Sequence, residues 1–287
     1  MFNFQEDFRK AVIEKFSDSY ENGLTPNPCI DCNRYLKFGR LLERARVLGY
    51  DYLATGHYAR IEERDGHYLL KKALDESKDQ SYFLYAMTQG QLARTLFPLG
   101  ELRKAEIRRL AEERGLSNAR KPDSQDICFV PDGDYAAAVE RISGRPSVPG
   151  NFVDTDGNVL GTHRGVIHYT VGQRRGLGVS APEPLYVCGV SSAENTVTLG
   201  PRQELLRTHV EAGNFHWISE AAPGGPIHCG VKLRSTQRER PATVIPTGGD
   251  TVRIMLDEPQ PAPAPGQAAV MYDGDTVLGG GVILPLN

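Results

Sequence analysis

The sequence lacks the features of a secreted, membrane-spanning or strongly basic protein. Only five of its 287 residues are cysteines, too few for a disulfide scaffold. Its apolar runs are a few residues long, against the roughly 20 residues that span a bilayer, and its first residues show no apolar segment of a secretory signal. The net charge of −3 argues against binding of nucleic acid through bulk charge alone. We therefore expect a cytoplasmic protein without membrane contact, in which cysteines at meaningful spacing serve metal binding or catalysis.

Glycine and proline are distributed unevenly along the chain. Of the 49 glycines and prolines, 14 lie in residues 1–140 and the other 35 lie in residues 141–287. Because both residue types interrupt regular structure, the first part is predicted to be rich in helix. The second part is predicted to consist of short strands and turns.

Hydrophobic periodicity predicts the elements of the first part. Apolar residues recur at helical spacing over Phe8–Tyr20 and Leu36–Leu48. Asp51–Thr55 then resembles a short buried strand that ends in a glycine-containing loop. A helix followed by such a strand and loop is half of an α/β unit. Further helices are predicted over Asp79–Met87 and Arg103–Arg114.

The second part is predicted to form small β structures. Asn151–Leu160 has the form of two strands joined by an Asp-Gly turn, and Val166–Val171 is a further strand candidate. A polar connection follows between Pro201 and His209. Five strand candidates at short spacing then indicate a small barrel or sandwich: Cys229–Leu233, Ala242–Ile245, Thr251–Leu256, Ala268–Tyr272 and Val277–Ile283.

The cysteines differ in their sequence context. Cys29 and Cys32 form a C-x-x-C pair just before a predicted helix, whose positive N-terminal end favours a thiolate. Thiol chemistry, an iron–sulfur site, half of a structural zinc site and inert thiols all remain open for this pair. Cys128 alone is typical of a buried structural cysteine, but together with Cys32 it would allow sulfur delivery on one thiol and product release through a disulfide. Cys188 and Cys229 lie in apolar strand patterns and are expected in the core.

Four polar segments each allow a functional and a structural interpretation. Gly56–Ala59 follows a strand, where α/β folds bind ligands, or it holds an ordinary loop histidine. Lys78–Ser81 precedes a predicted helix and contains residues that commonly cap one. Residues 94–121 carry a basic excess, which is either a solvated helix face or a surface that steers a polyanion. Tyr169–Gly178 is rich in glycine and arginine and either meets phosphates or turns the chain.

Taken together, these segments resemble the tRNA-specific 2-thiouridylases, the MnmA family. The matching stretches occur in the family's order and reach almost from end to end: Thr25–Pro28, Cys32–Asn33, Ala54–Ala59, Lys78–Ser81, Asp123–Phe129, Tyr169–Gly178, Pro265–Val270 and Leu278–Val282.

The resemblance implies an α/β plus β protein of three parts. Residues 1–145 would be the remnant of a PP-loop, Rossmann-like domain of the adenine nucleotide alpha hydrolase type. Residues 146–207 would form a small central β-rich domain. Residues 208–287 would form a β-barrel that contacts tRNA.

The resemblance also implies a reaction, the ATP-dependent 2-thiolation of the wobble uridine, position 34, of tRNA, with release of AMP and pyrophosphate. ATP, with Mg²⁺, would activate the base, and a sulfur-relay protein or a cysteine desulfurase would supply persulfide sulfur. Cys128 would carry the persulfide, Cys32 would be the nucleophile, and the two would form a transient disulfide. Gly56 would contact ATP. The residues at positions where family members touch tRNA or its target base are Asn27, Pro28, Cys29, His57, Lys78, Asp79, Gln80, Arg234, Ser235 and Gln267.

The sequence departs from the family pattern at two places that bear on activity. It contains no Ser-Gly-Gly-x-Asp-Ser phosphate-binding loop, so we expect an N-terminally truncated chain that binds ATP weakly or not at all. Cys29 stands where some members carry an aspartate proposed as an acid or base. Together with Cys32 and Cys128 it could instead ligate an iron–sulfur cluster. The rival functions are a non-catalytic tRNA-binding fragment and a thiol oxidoreductase that uses only Cys29 and Cys32.

Two structural expectations follow. Cys32 and Cys128 should lie near each other, because a disulfide requires Cα atoms within roughly 7 Å and loop movement extends this to about twice that distance in a resting state. In a truncated α/β domain, apolar residues that would face the absent strand should be unusually exposed. These residues are Phe8, Val12, Phe16, Tyr52 and Leu53.

Overall fold

The computed structural model describes residues 2–120, 126–261 and 263–285. Its N-terminal part contains two long helices. Helix α1, residues 5–21, runs through the segments Gln5–Phe8, Arg9–Glu14 and Lys15–Glu21, and helix α2, residues 28–47, runs through Pro28–Asp31, Cys32–Leu41 and Leu42–Val47. The middle segment of each helix is wound with i→i+5 hydrogen bonds. The remaining helices are α3 (Gln89–Leu92), α4 (Lys104–Glu113) and α5 (Tyr135–Ser143).

The N-terminal part contains four short strands in two separate groups. These strands are β1 (Leu53–Ala54), β2 (Ala59–Arg64), β3 (His67–Lys72) and β4 (Thr95–Leu96). Strands β1 and β4 pair in parallel as a sheet of two strands. Strands β2 and β3 form an antiparallel hairpin that belongs to a different sheet.

The expected exposure of α1 is wrong for two of its residues. Val12 and Phe16 are each only 1 % exposed. They are covered because α1 packs against α5 and the loop before it, where the ring of Phe129 meets that of Phe16 edge to face at 5.2 Å. Tyr52, by contrast, is 57 % exposed, as expected. Phe8 and Leu53 are partly buried.

Two other predicted elements are wrong. The predicted helix over Asp79–Met87 is reduced to a single 3₁₀ turn, Ser81–Leu84. The carboxylate of Asp79 accepts hydrogen bonds from the backbone of Ala73 and Ser81, which holds the chain in a loop before any helix can extend. The predicted strand over Val166–Val171 is a 3₁₀ turn, Val166–His168, followed by a loop.

The central part is a sheet of four strands around a small core. These strands are β5 (Gly150–Val153), β6 (Val159–His163), β7 (Tyr186–Ser191) and β8 (Thr196–Gly200), in the order β6-β5-β8-β7. Phe152, Val187 and Val197 are fully buried between the sheet and the ring of Tyr169. A 3₁₀ turn, Arg202–Leu205, then leads into the last part.

The C-terminal part is a closed barrel of six strands. The strands are β9 (Leu206–Trp217), β10 (Ile227–Lys232), β11 (Arg240–Gly248), β12 (Thr251–Pro261), β13 (Ala268–Asp273) and β14 (Thr276–Ile283). Neighbours pair in the order β13-β10-β11-β12-β9-β14, and β14 pairs with β13 to close the ring. The predicted barrel is therefore confirmed.

The barrel is joined to the N-terminal part through its outer wall. Alternate residues of β13 face opposite sides: Ala269 and Met271 pack inside the barrel, while Val270 and Tyr272 pack outside against the N-terminal segments. The β2–β3 hairpin continues the sheet from β14. Gly280 allows this packing, because a Cβ there would lie 2.7 Å from the ring of Tyr85.

Across the described residues, we find no helix with the length and apolar character needed to cross a bilayer.

Candidate active site

A cavity of about 500 Å³ brings together most of the side chains predicted to act. It lies between the start of α2, the loop after β1, the loop before α5 and the barrel. The first three residues of one predicted motif, Asp123, Ser124 and Gln125, lie outside the described residues. The predicted site residues that line the cavity are Asn27, Pro28, Cys29, Cys32, His57, Gln80, Cys128 and Ser235.

The loop that carries the first two thiols is held by the barrel. Thr25 donates its backbone N–H to the Pro265 carbonyl at 2.7 Å. The side-chain amide of Gln267 donates to the Thr25 carbonyl at 2.8 Å. Pro28 then occupies the first turn of α2, where its fixed φ suits the start of a helix. The position of Cys29 and Cys32 therefore depends on contacts more than 200 residues away in the sequence.

The three thiols of the cavity are free and share one electrostatic environment. Cys29 and Cys128 are exposed, and Cys32 is partly buried. Desolvation by the surrounding protein raises the pKa of Cys32, and Cys128 and Asp31 raise it further, whereas Lys37 opposes the rise. The pKa of Cys29 is raised by the same desolvation and by both other thiols. The structure thus places Cys32 and Cys128 at one cavity, not on opposite faces of the domain.

Lys37 and His57 form a polar pair in the cavity wall. The Lys37 ammonium lies 3.2 Å from His57 Nε2, and the Thr55 hydroxyl lies 2.8 Å from His57 Nδ1. Because an ammonium group only donates, Nε2 accepts the hydrogen bond and the proton of the neutral ring lies on Nδ1. Burial and the charge of Lys37 lower the pKa of His57 to about 4. His57 is therefore neutral at physiological pH and holds the ammonium within the cavity wall.

The winding of α2 explains why Lys37 faces the thiols. Lys37 lies five positions after Cys32, and the segment Cys32–Leu41 is wound with i→i+5 bonds, which place such a pair on one face. Sequence reasoning based on ordinary helical spacing missed Lys37. Asp31 faces elsewhere, since its carboxylate accepts a 2.6 Å hydrogen bond from Lys15 on α1.

Asn33 belongs to the matching stretch Cys32–Asn33, but no role at the site was assigned to it from the sequence. It is 4 % exposed, and its amide donates to the Phe83 carbonyl at 3.1 Å. Its Oδ1 is one of the few buried polar atoms without a partner among the described residues. A lone Asn after a cysteine carries no signal of such a position, which arises only from tertiary packing.

Five predicted site residues lie outside the cavity lining. Gly56 is exposed in the loop after β1, and Gln267 holds the thiol loop from the barrel side. Arg234 donates to the Val171 carbonyl at 3.0 Å and so connects the barrel to the central part. The Asp79 carboxylate is buried and fully engaged, with Ser81 Oγ donating at 2.7 Å. Lys78 is the residue that precedes Asp79 in the sequence.

The alternative of an iron–sulfur cluster gains no support from the geometry. Within residues 2–120, 126–261 and 263–285, no three side chains of the His, Cys, Asp or Glu type are grouped so that they could hold a metal ion. Of the other two cysteines, Cys229 is buried, in line with the expected core position, whereas Cys188 is only partly buried.

Comparison with known proteins identifies the family. Residues 1–132 match the tRNA methyl transferase HUP domain family, residues 141–201 match the tRNA methyl transferase PRC-barrel domain, and residues 207–283 match the aminomethyltransferase beta-barrel domain. The chain is 46 % identical to the tRNA-specific 2-thiouridylase MnmA of Clostridioides difficile over 285 residues, covering 99 % of this chain and 79 % of that protein.

The chain belongs to the MnmA family. It is also 49 % identical to the MnmA of Geotalea uraniireducens over 282 residues, which cover 98 % of this chain and 75 % of that protein. The three family domains confirm the predicted fold class, an α/β domain followed by a central β-rich domain and a barrel. The thiol cavity lies where MnmA-type HUP and barrel domains meet in this chain.

Proposed function

We propose that this protein catalyses the ATP-dependent 2-thiolation of the wobble uridine of tRNA in the cytoplasm. The relatives named above are tRNA-specific 2-thiouridylases. One observation carries the proposal: Cys32 and Cys128, 96 positions apart in the sequence, line the same cavity. Polar side chains, among them Asn27, Gln80 and Ser235, line the cavity with them.

The paired thiols support a sulfur transfer that balances in electrons. Cys128 receives a persulfide from a sulfur-relay protein or a cysteine desulfurase. Its terminal sulfur attacks C2 of the uridine, and the C2–O bond breaks. The thiolate of Cys32 then attacks Cys128 Sγ, which breaks the bond to the transferred sulfur and leaves 2-thiouridine. The Cys32–Cys128 disulfide formed in this step is returned to two thiols by a thiol reductant.

The chemistry of the resting thiols suits this order of events. Because the pKa of Cys32 is raised, the thiol is largely protonated before substrate enters and is protected from adventitious oxidation. The ammonium of Lys37 lies in the same wall and stabilises the thiolate when it forms. Cys29, Asn27 and Pro28 form the rim against which the target base would lie.

ATP, with Mg²⁺, supplies a leaving group, since adenylation of the C2 oxygen lets it depart as AMP. Gly56 is the candidate contact for the nucleotide. It lies exposed beyond the carboxyl end of the parallel strand β1, the edge at which α/β folds bind ligands. A Cβ at Gly56 would meet only Leu99 Cδ1, at 3.7 Å, so the surface is open enough for a nucleotide to approach.

The test is formation of 2-thiouridine in unmodified tRNA incubated with the full chain, ATP, Mg²⁺ and a persulfide donor, followed by nucleoside mass spectrometry. The proposed function predicts product with the parent chain, in contrast to the weak ATP binding expected from the sequence, and a loss of roughly 100-fold or more in Cys128→Ser and in Cys32→Ser. Cys188→Ser is the matched control, because it removes a thiol outside the cavity and should retain activity. Equal product from the Cys128→Ser variant would contradict the mechanism.

The same preparation separates the alternative function, a non-catalytic tRNA-binding fragment without an ATP site. Such a chain would bind tRNA but would form no 2-thiouridine and would release no heat on titration with ATP. A thiol oxidoreductase, in turn, would keep its activity in Cys128→Ser.

A further inference from the structure

A second cavity, of about 440 Å³, lies on the other side of α2 and is lined by four arginines and one carboxylate. Arg34, Arg40 and Arg46 project from α2, and Arg94 lies just before β4. The carboxylate, Glu43, lies 3.7 Å from Arg40. We call this cavity the arginine pocket.

Among the described residues, three of the four guanidinium groups form no ion pair, although the charge of Arg34 partly opposes the rise that burial causes in the pKa of the Asp31 carboxyl. Arg40 is paired with Asp7 at 3.3 Å as well as with Glu43. Within the part of the chain that the structure describes, the side chains of Arg34, Arg46 and Arg94 form no ion pair or hydrogen bond. Such unpaired charges repel one another, and they remain available to an anionic ligand.

The frame of the pocket is rigid. Gln91 donates its side-chain amide to the Phe38 carbonyl at 2.9 Å, which joins α3 to the middle of α2. Phe38 itself is 1 % exposed. The backbone of Arg94 is held on both sides, because its N–H donates to the Gln91 carbonyl and its carbonyl accepts from Leu53 in β1. The arginines are thus presented on a fixed scaffold, which reduces the entropy lost on binding.

The pocket also contains an aromatic surface. Tyr35 is 42 % exposed, and the guanidinium of Arg34 lies 5.5 Å from the centroid of its ring. Guanidinium groups pair with phosphate oxygens through parallel hydrogen bonds, and exposed aromatic rings stack on bases. Spaced guanidinium groups beside an exposed ring are therefore typical of surfaces that bind nucleic acid more than of surfaces that bind acidic proteins.

We propose that the arginine pocket binds backbone phosphates of the RNA substrate. This inference rests on the proposed function for the identity of the RNA. Helix α2 carries Cys32 near its start and Arg46 near its end, a distance of about 20 Å at the usual rise of a helix. An RNA that places a base at the thiols thus lies within reach of the pocket. A chain of net charge −3 needs such local cations, since its overall charge does not attract RNA.

The test compares two triple variants of the full chain that change net charge equally. The first is Arg34→Gln, Arg46→Gln and Arg94→Gln. The matched control is Arg9→Gln, Arg64→Gln and Arg253→Gln, which removes three exposed arginines that are paired with Glu14, Glu62 and Glu211. Binding of a fluorescein-labelled, unmodified tRNA is measured by anisotropy at several salt concentrations, without ATP or a sulfur donor.

We expect the slope of log K against log salt to fall in magnitude by about 2 in the pocket variant, at about 0.7–0.9 per phosphate contact. The control variant should change the slope by less than half as much.

Competition with ATP separates two sources of phosphate. If millimolar ATP displaces the RNA from the parent chain but not from the pocket variant, the pocket binds a nucleotide and the proposal is overturned.

An equal change of slope in both triple variants would also overturn it, because bulk charge would then explain the effect. The proposed function fails in a different way. A chain that binds RNA through the pocket and forms no 2-thiouridine refutes the function but supports the pocket. A chain that forms 2-thiouridine with an unchanged slope in the pocket variant refutes the pocket alone.

Discussion

Replacement of Gly266 by alanine tests whether the barrel positions the thiol loop. Gly266 has φ of +90°, and a Cβ there would lie 3.0 Å from the Thr25 nitrogen and 3.1 Å from Leu24 Cβ. These atoms belong to the loop that leads into Cys29 and Cys32. Because the nearest neighbour is backbone, the loop must move by a few tenths of an ångström to admit the methyl group.

The cost can be worked from the contacts. An alanine in a left-handed conformation costs about 1–2 kcal/mol. The displaced loop weakens two hydrogen bonds, from Thr25 to the Pro265 carbonyl and from Gln267 to the Thr25 carbonyl, each of which contributes about 0.5–1.5 kcal/mol. Because the two bonds are weakened and not broken, together they lose about 1–2 kcal/mol. The total of about 2–4 kcal/mol remains below the roughly 5–15 kcal/mol that stabilise a typical domain, so the variant should still fold.

Gly274→Ala is the matched control. Gly274 lies in the turn between β13 and β14 with φ of +57°, and a Cβ there would meet nothing within 4 Å. An alanine at this position therefore has the cost of a left-handed backbone conformation but makes no steric contact with another part of the chain. Urea unfolding should show that Gly266→Ala loses about 1–2 kcal/mol more than the control, and only Gly266→Ala should change the rate at which iodoacetamide labels Cys29 and Cys32. Identical unfolding free energies and labelling rates in the two variants would refute the reasoning.

Two further predictions concern the charges of the cavity. In Lys37→Met the pKa of Cys32 should rise further, because the opposing ammonium is gone. Site-resolved mass spectrometry should therefore show that the midpoint of Cys32 alkylation moves to higher pH. The control Lys10→Met removes a lysine that is paired with Glu6 and should leave this midpoint unchanged. In the folded chain the pKa of His57 is lowered from 6.5 to about 4. Between these two pH values the unfolded chain binds a proton on His57 that the folded chain does not bind, so the free energy of unfolding falls as the pH drops through this window. The loss is about 3 kcal/mol. Urea unfolding of His57→Asn at pH 7 and pH 4 should lack this part of the loss, and an undiminished loss would contradict the assignment.

The pattern of apolar residues along the chain predicted those strands that bury one face. The alternation of apolar residues in the last 60 residues identified the barrel strands β10 to β14, because one face of each is buried inside the barrel. Strand β9, Leu206–Trp217, was not predicted at all, since Arg207, Thr208 and His209 resemble a polar connection and no strand candidate was assigned between His209 and Cys229. These residues are polar because that end of the strand lies at the surface, and only the pairing with β12 shows that it is a strand.

Long-range contacts account for what the sequence did not reveal. The β2–β3 hairpin lies in the N-terminal third of the chain, yet it extends the sheet of the C-terminal barrel through β14. The candidate active site also depends on contacts that the sequence does not reveal. The thiol motifs were visible in the sequence, whereas the placement of Lys37 depends on the i→i+5 winding of α2 and on its hydrogen bond to His57.

The internal hydrogen bonds of the predicted tRNA contacts also determine which of them remain able to bind RNA. Arg234 uses one of its five N–H groups on the Val171 carbonyl, so its other donors can still meet a phosphate. Gln267 donates to Thr25 and keeps its carbonyl oxygen for a ligand. Both oxygens of Asp79, by contrast, already accept hydrogen bonds, and its side chain is 4 % exposed. Asp79 therefore holds the loop that carries Gln80 and has no free oxygen for a ligand, whereas Arg234 and Gln267 keep hydrogen-bonding groups free for the proposed RNA.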